Sequence, residues 1–273
     1  RPHRAAGVDA SVKCSTSFPG VQNPALALDG LLPAVQPSAN ASWVSTNEID
    51  QSFGKVDRLT ASTRPRPLGV GRFSAIDDLA DWTILRLGAR NSLLTRRDGS
   101  THEWLTLDSY FDWFLEDPEF DRDFSNFYND LYFHPVPWMS LVLETQFPIL
   151  GNEGDFTELA ASLRYMPRPN LEFGISHRFL NDHPILDNSN RLEYDAYARI
   201  NEDWGLGFLH RWEFEDNTLE LQQYSLHRTL QNWAVSVGLF HRDNRVEDDY
   251  GFVIGFTLKD FPSLSLPLKV GAE

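Results

Sequence analysis

The sequence predicts an all-β chain: an antiparallel transmembrane β-barrel meander, the incomplete C-terminal half of a larger barrel. Three observations predict it. Segments with period-two alternation follow one another down the chain, and period two is the signature of a strand. The segments run to about ten residues, whereas strands of soluble proteins centre on about 5–6 and a tilted strand crossing a bilayer needs about 9–11. Tight and longer polar connections alternate, as do the short turns and long loops of outer-membrane barrels.

The N-terminal part, residues 1–81, carries weak strands and a long loop. Ala5–Thr16 alternates loosely, with Val8, Ala10 and Val12 against Asp9, Ser11 and Lys13. Leu32–Val44 is a second candidate, and Pro33 and Pro37 place its beginning at a strand start or an edge, because proline lacks a ladder donor. Ser45–Asp81 has no period and contains the Pro-rich run Arg64–Gly69, which reads as loop.

Residues 82–261 form the regular meander. Trp82–Thr95 sets Leu85, Leu87, Ala89 and Leu93 against Arg86, Arg90 and Ser92, and Arg97-Asp98-Gly99-Ser100 is a turn sequence. Trp104–Leu115 sets Leu105, Leu107, Phe111 and Trp113 against Thr106, Asp108, Tyr110 and Asp112. Acidic loop Glu116–Phe124 leads to Ser125–His134 and Trp138–Phe147, joined through Pro135–Pro137; loop Pro148–Asp155 leads to Phe156–Tyr165 and Leu171–Leu180, joined through Pro167–Asn170. After Asn181–Asn190 come Arg191–Asn201, Trp204–Phe214, Leu219–Leu230, Trp233–Arg242 and Tyr250–Phe261, the last being the expected final strand, with 262–273 as a tail. This makes about thirteen strands in one domain, 1–273, where single-chain bacterial barrels have even counts. The odd count, the start at Arg1 and the lack of a signal-peptide core suggest a fragment of a longer chain.

Composition excludes several classes. The net charge of −15 over 273 residues argues against nucleic acid, whose phosphates need a basic face. No apolar run of about 18 residues exists to make a helical span. Cys14 is the single cysteine, so an internal disulfide and a cysteine metal site are out, and it reads as an inert packed thiol. No cofactor or metal site is expected. His177, His210, His227 and His241 lie within strands without a second ligand at metal spacing. Asp108 and Asp112 share a face and could pair as catalytic carboxylates; the simpler reading balances them against Arg86 and Arg90 of the neighbouring strand. No nucleophile elbow, phosphate loop or zinc-protease motif occurs, so no enzyme is expected.

The polar face is charged: Arg86, Arg90, Asp108, Asp112, Glu144, Arg164, Arg178, Asp195, Arg199 and Arg211 are the expected lumen and substrate path. In a soluble sheet the same residues would be a wet face. Trp204 and Trp233 each follow a tight turn on the apolar face, and Trp113 and Trp212 sit near the opposite strand ends, which suggests two interfacial girdles. Trp82, Trp104 and Trp138 fall on the polar parity instead.

Three stretches resemble the C-terminal barrel of the LPS-assembly protein family LptD (organic solvent tolerance proteins): Leu85–Arg97 with Trp104–Asp108; Tyr224–Arg228 leading through Trp233–Gly238 to Arg242; and Gly255–Phe261. The resemblance implies transport of lipopolysaccharide to the outer leaflet, an LptE-like plug lipoprotein, a periplasmic Lpt bridge reached through an absent N-terminal domain, and contact with outer-membrane lipids. It also implies a lateral gate whose strand here carries Tyr250, Phe252, Ile254, Gly255, Phe256 and Leu258; as the final strand of an incomplete sheet, Tyr250–Phe261 is expected to pair on one side only, with Trp233–Arg242. Gln231-Asn232 stands where well-studied members carry adjacent cysteines, so their disulfide logic does not apply. The alternatives are a passive porin-like barrel, which an even strand count and an inward-folded constriction loop would favour, and a soluble carbohydrate-binding β-sandwich.

Overall fold

The computed structural model describes residues 4–45, 62–68, 80–118, 120–151, 154–244, 248–259 and 261–272. Among them the fold is all-β, with one short 3-10 turn at Pro24–Leu26. Among the described residues no helix is long and apolar enough to cross a membrane, which says nothing of crossing by strands. The strands are β1 (Arg4–Ser11), β2 (Cys14–Ser15), β3 (Phe18–Asn23), β4 (Leu28–Ser45), β5 (Trp82–Arg97), β6 (Ser100–Glu116), β7 (Phe127–Val136), β8 (Met139–Phe147), β9 (Thr157–Arg168), β10 (Leu171–Asn181), β11 (Ser189–Arg199), β12 (Trp204–Glu213), β13 (Thr218–Thr229), β14 (Trp233–Asp243), β15 (Asp248–Leu258) and β16 (Phe261–Ala272). From β4 onward each strand neighbours the next in sequence, and β1, β2 and β3 lie in turn along β4, giving a sheet of 16 strands. All registers described are antiparallel.

The chain divides into two compact units. The first comprises Arg1–Pro135, Leu143–Leu159 and Leu180–Asn188; the second comprises Val136–Val142, Ala160–Phe179 and Ser189–Glu273.

In the first unit β4 is longer than expected and is not an edge. It pairs with β5 from Leu32 to Val44 and with the β1–β3 fragments on its other side. Its prolines are accommodated by interruptions in those fragments. Pro37 lies beyond the end of β1, Pro33 beyond the end of β2, and their carbonyls accept from the N–H groups of Val12 and Thr16 at 3.3 and 3.2 Å. In an antiparallel strand a residue's N–H and C=O point to the same neighbour, so the missing donors face the broken side and the β5 ladder stays whole. The β5–β6 turn has positive φ at both Asp98 (48°) and Gly99 (79°), the type I′ geometry that suits a two-residue hairpin. The predicted loop Ser45–Asp81 is described only at 62–68 and 80–81; the rest lies outside the described residues.

In the second unit β11–β15 form an unbroken antiparallel run with a single bulge, between Arg211 and Glu213. Two expectations are corrected here. The segment Tyr250–Phe261 is not a final edge strand: its residues to Leu258 belong to β15, which pairs with β14 on one side and β16 on the other. The tail 262–273 is therefore itself mostly strand. Its sequence alternates Ser263, Ser265, Pro267 and Lys269 with Leu264, Leu266, Leu268 and Val270. The prolines at 262 and 267 mask that period, and β16 tolerates them as the last strand of the sheet among the described residues.

Candidate functional site

Burial in this sheet is inverted with respect to polarity. Among the described residues Asp112 and Glu213 are each 3% exposed, and Gln146, Glu158, Thr106 and Ser92 are buried. Leu239 is 63% exposed, Tyr250 61%, Leu206 48%, and Ile175, Phe173, Phe208 and Val237 are likewise open. Along most strands the alternation thus puts charges on the more covered face and apolar side chains on the uncovered one, the opposite of a soluble half-buried sheet; Val44, Trp82, Ile84, Phe114, Leu180 and Phe240 are buried nonetheless, and Arg90 and Arg164 are about half exposed.

In the first unit the covered face of β5–β8 carries a charge array. Register sets Arg86 opposite Asp112 and Arg90 opposite Asp108. Arg86 makes a fork-on-fork contact with Asp112, Nε to Oδ1 at 2.6 Å and Nη2 to Oδ2 at 2.9 Å, the strong form of an arginine–carboxylate pair. Ser125 fixes the Asp112 backbone, its Oγ accepting from the Asp112 N–H at 2.8 Å. Arg90 is looser, 3.8 Å from Asp108 and 3.6 Å from Glu103. The two aspartates are therefore salt-bridged to arginines rather than poised as an acid–base pair. Tyr110 lies between them on β6 and stacks on Tyr128 of β7 at 5.1 Å, with the Arg86 guanidinium 5.4 Å from its ring centroid.

Asp108 also sits directly opposite Asp130 of β7. Like charges facing across a ladder repel, and a cation from elsewhere offsets them. That cation is Arg64. Its Nη1 donates to Asp130 Oδ1 at 2.8 Å, and its Nη2 contacts Glu144 of β8. Burial alone would lower the Arg64 pKa, but the hydrogen bond and charge of Asp130, with the charge of Glu144, hold the guanidinium above its ordinary range.

Arg64 belongs to a strap, residues 62–68, that lies across this face. Arg86 Nη2 donates to the Arg66 carbonyl at 3.1 Å, and Ser42 Oγ donates to the Leu68 carbonyl at 2.7 Å. Leu68 packs on a small apolar cluster of Val44, Trp82, Ile84 and Phe114, and Trp82 Nε1 donates to Ser42 Oγ at 3.0 Å. This explains why Trp82 falls on the polar parity: it is the buried anchor under the strap and no part of a girdle. Sequence reasoning missed the strap and Asp130, because an aperiodic Pro-rich run gives no facing information and its partner lies 66 residues away.

In the second unit the covered face carries separate ion pairs. Arg164 contacts Asp195 at 2.8 Å and Glu172 at 3.2 Å. These side chains lie flat over Gly174, where an added Cβ would meet Asp195 Oδ1 at 2.2 Å. Arg211 forks onto Glu193 Oε2 at 2.9 and 2.6 Å. Glu213 accepts from Ser189 Oγ and the Asn190 N–H, both at 2.6 Å, next to Arg191. Arg199 departs from expectation: its guanidinium donates to the carbonyls of Asn201 and Glu202 at 3.1 and 2.7 Å, bracing the β11–β12 turn. Arg178 is half-buried in β10. Among the described residues no group of three His, Cys, Asp or Glu is placed to hold a metal ion. Cys14, expected to be packed, is exposed.

The residues assigned to a gate split by face. Tyr250, Phe252, Ile254, Phe256 and Leu258 share the row positions of the uncovered face, and Gly255 pairs with Ser236 on the covered one. All lie in β15, with a partner strand on each side.

No family model matches this chain, and no curated protein matches it. Among solved structures, a mutant of Rh. blastica porin matches with TM-score 0.42 at 8% identity, covering 99% of this chain and 94% of that one. A triple mutant of Rhodopseudomonas blastica porin gives TM-score 0.38 at 8% identity, covering 99% and 98%. At these scores the likeness carries no argument about what this chain does.

Proposed function

We propose that the chain is a bacterial outer-membrane β-barrel protein whose charged face lines a water-filled passage for small hydrophilic solutes. One observation carries the reading: ion pairs and amides occupy the covered face while leucine, phenylalanine, tyrosine and tryptophan stand uncovered. Lipid is the solvent that makes such a surface favourable, because apolar side chains cost nothing there and a closed ladder satisfies the strand N–H and C=O groups without water. The strap at 62–68 supports a porin-like passage, since it folds onto the charged face and brings Arg64 to the wall carboxylates. The passage does no bond chemistry in this reading.

Delivery of lipopolysaccharide, with its plug lipoprotein and periplasmic bridge, rests on the resemblance of three sequence stretches alone. The strand it assigns to a gate is interior, so in this chain a weak seam would have to be sought at β1 or β16.

Purified protein refolded into a planar bilayer should give stepwise conductance increments in potassium chloride. Arg64→Gly should change the size of each step, because it removes the strap's hold on Asp130 and Glu144. Folded, bilayer-inserted protein that gives no conductance would overturn the passage.

A further inference from the structure

We infer that one row of hydrogen-bonding side chains on the uncovered face of the second unit, Tyr194–His210–Gln222–His241–Tyr250, is the line where the sheet meets lipid headgroups, and that its partner is the phosphate oxygen of a glycerophospholipid. The inference rests on the membrane-spanning reading above. Register puts these five residues side by side on β11, β12, β13, β14 and β15. The two rows next to it on the same face read Ala196–Phe208–Tyr224–Leu239–Phe252 and Ala198–Leu206–Leu226–Val237–Ile254, apolar but for the Tyr224 hydroxyl. Polar side chains return in this row on every strand of the run, near the ends that lead into the connections 182–188, 214–217 and 244–247, while one row further out Leu192 and Trp212 stand side by side on β11 and β12.

The hydrogen bonds along the row leave donors over. Tyr194 Oη lies 3.0 Å from His210 Nδ1, and Tyr224 Oη lies 2.9 Å from His210 Nε2. A neutral imidazole has one N–H and one bare nitrogen. Whichever tautomer His210 holds, one tyrosine donates to the ring and the other accepts from it. The accepting tyrosine then keeps a free O–H on a face that is otherwise apolar. Tyr194 is 37% exposed and Tyr224 50%, so the free hydroxyl can reach outward from either. The second histidine is also engaged: His241 Nδ1 is 3.4 Å from Gln222 Nε2, its Nε2 is 3.4 Å from Asp248, and its ring stacks on Tyr250 at 4.0 Å. With both imidazoles occupied by protein partners, the row offers hydroxyl and amide N–H donors rather than metal ligands. A donor row at the rim of an apolar band fits an acceptor-rich, donor-poor layer, and phosphodiester oxygens supply it.

Two measurements test this, both in a Cys14→Ser background. Nitroxides attached at Phe208→Cys and at His210→Cys are compared in vesicles of phosphatidylcholine and phosphatidylglycerol. The Phe208 label should be relaxed by oxygen and shielded from a water-soluble nickel chelate; the His210 label, two residues along β12, should report the depth of the phosphates. Hydrocarbon depth at both sites would overturn the headgroup line and leave the membrane-spanning reading standing, whereas water exposure at both would sink that reading itself. Tyr194→Phe with Tyr224→Phe should lower the urea midpoint clearly more in those vesicles than in maltoside micelles, which carry no phosphate and where only the bonds to His210 are lost. An equal drop in both would assign the hydroxyls to bonding within the protein and refute the inference.

Discussion

The same device, an arginine across a strand from a carboxylate, occurs in both units and in different surroundings. In the first, Arg86 grips Asp112 beneath the strap, and the Asp112 side chain is 4% exposed. In the second, Arg211 grips Glu193 with no strap described over it, and the two side chains are 34% and 26% exposed. Register alone makes either pair, because alternation and pairing decide which charge faces which. The cover is what differs, and it comes from an aperiodic segment. A covered pair is costly to break since the survivor stays desolvated, while an open pair loses little to water.

The largest effect should therefore come from Asp112→Ala, which leaves the largely covered Arg86 guanidinium with the Arg66 carbonyl and the Tyr110 ring but no carboxylate. It should cost about 3–5 kcal/mol in reversible unfolding in lipid. Glu193→Ala should cost at most about 1 kcal/mol. Equal costs would erase the distinction between the units. Next in size, Leu206→Arg on the uncovered face should cost about 2–4 kcal/mol in vesicles, the range for a basic residue near the bilayer midplane. Ser236→Arg, on the covered face of β14, should cost far less; if it is the worse of the two, the faces have been read the wrong way round. Leu68→Ala should be milder, about 1–2 kcal/mol, because Leu68 is only partly buried against Trp82 and Phe114. Its sharper signature should be noisier conductance from a loosened strap, with no matching change from Gly205→Ala, where only the Tyr197 ring must move aside.

Strands β5 to β15 were legible in the sequence because most of them alternate and their connections are marked by turn residues, and two-residue turns such as Asp98-Gly99 announce themselves by composition. The pairing of Asp108 and Asp112 with Arg86 and Arg90 was legible for the same reason. The strap was not: Arg64, Pro65, Arg66 and Pro67 carry no period, and their partners are set by the sheet's register rather than by local pattern. Nor was β16, where Pro262 and Pro267 obscured a Ser/Leu alternation and the preceding aromatic strand looked like a natural end. Pro33 and Pro37 misled in the opposite sense, suggesting an edge where the partner strand was interrupted instead. Arg199 shows a further limit: parity placed it on the charged face, but its reach to the turn carbonyls is a matter of where the strand stops.

The central claim is that the charged face meets water and the apolar face meets lipid. The direct measurement is thiol accessibility along β14 in vesicles, with single cysteines at Val235, Ser236, Val237, Gly238 and Leu239 in a Cys14→Ser background. A charged, membrane-impermeant maleimide should label the cysteines at 236 and 238 and spare those at 235, 237 and 239, whose environment a lipid-soluble quencher should report instead. Labelling without period two, or protein that stays monodisperse in buffer without detergent, would contradict the account.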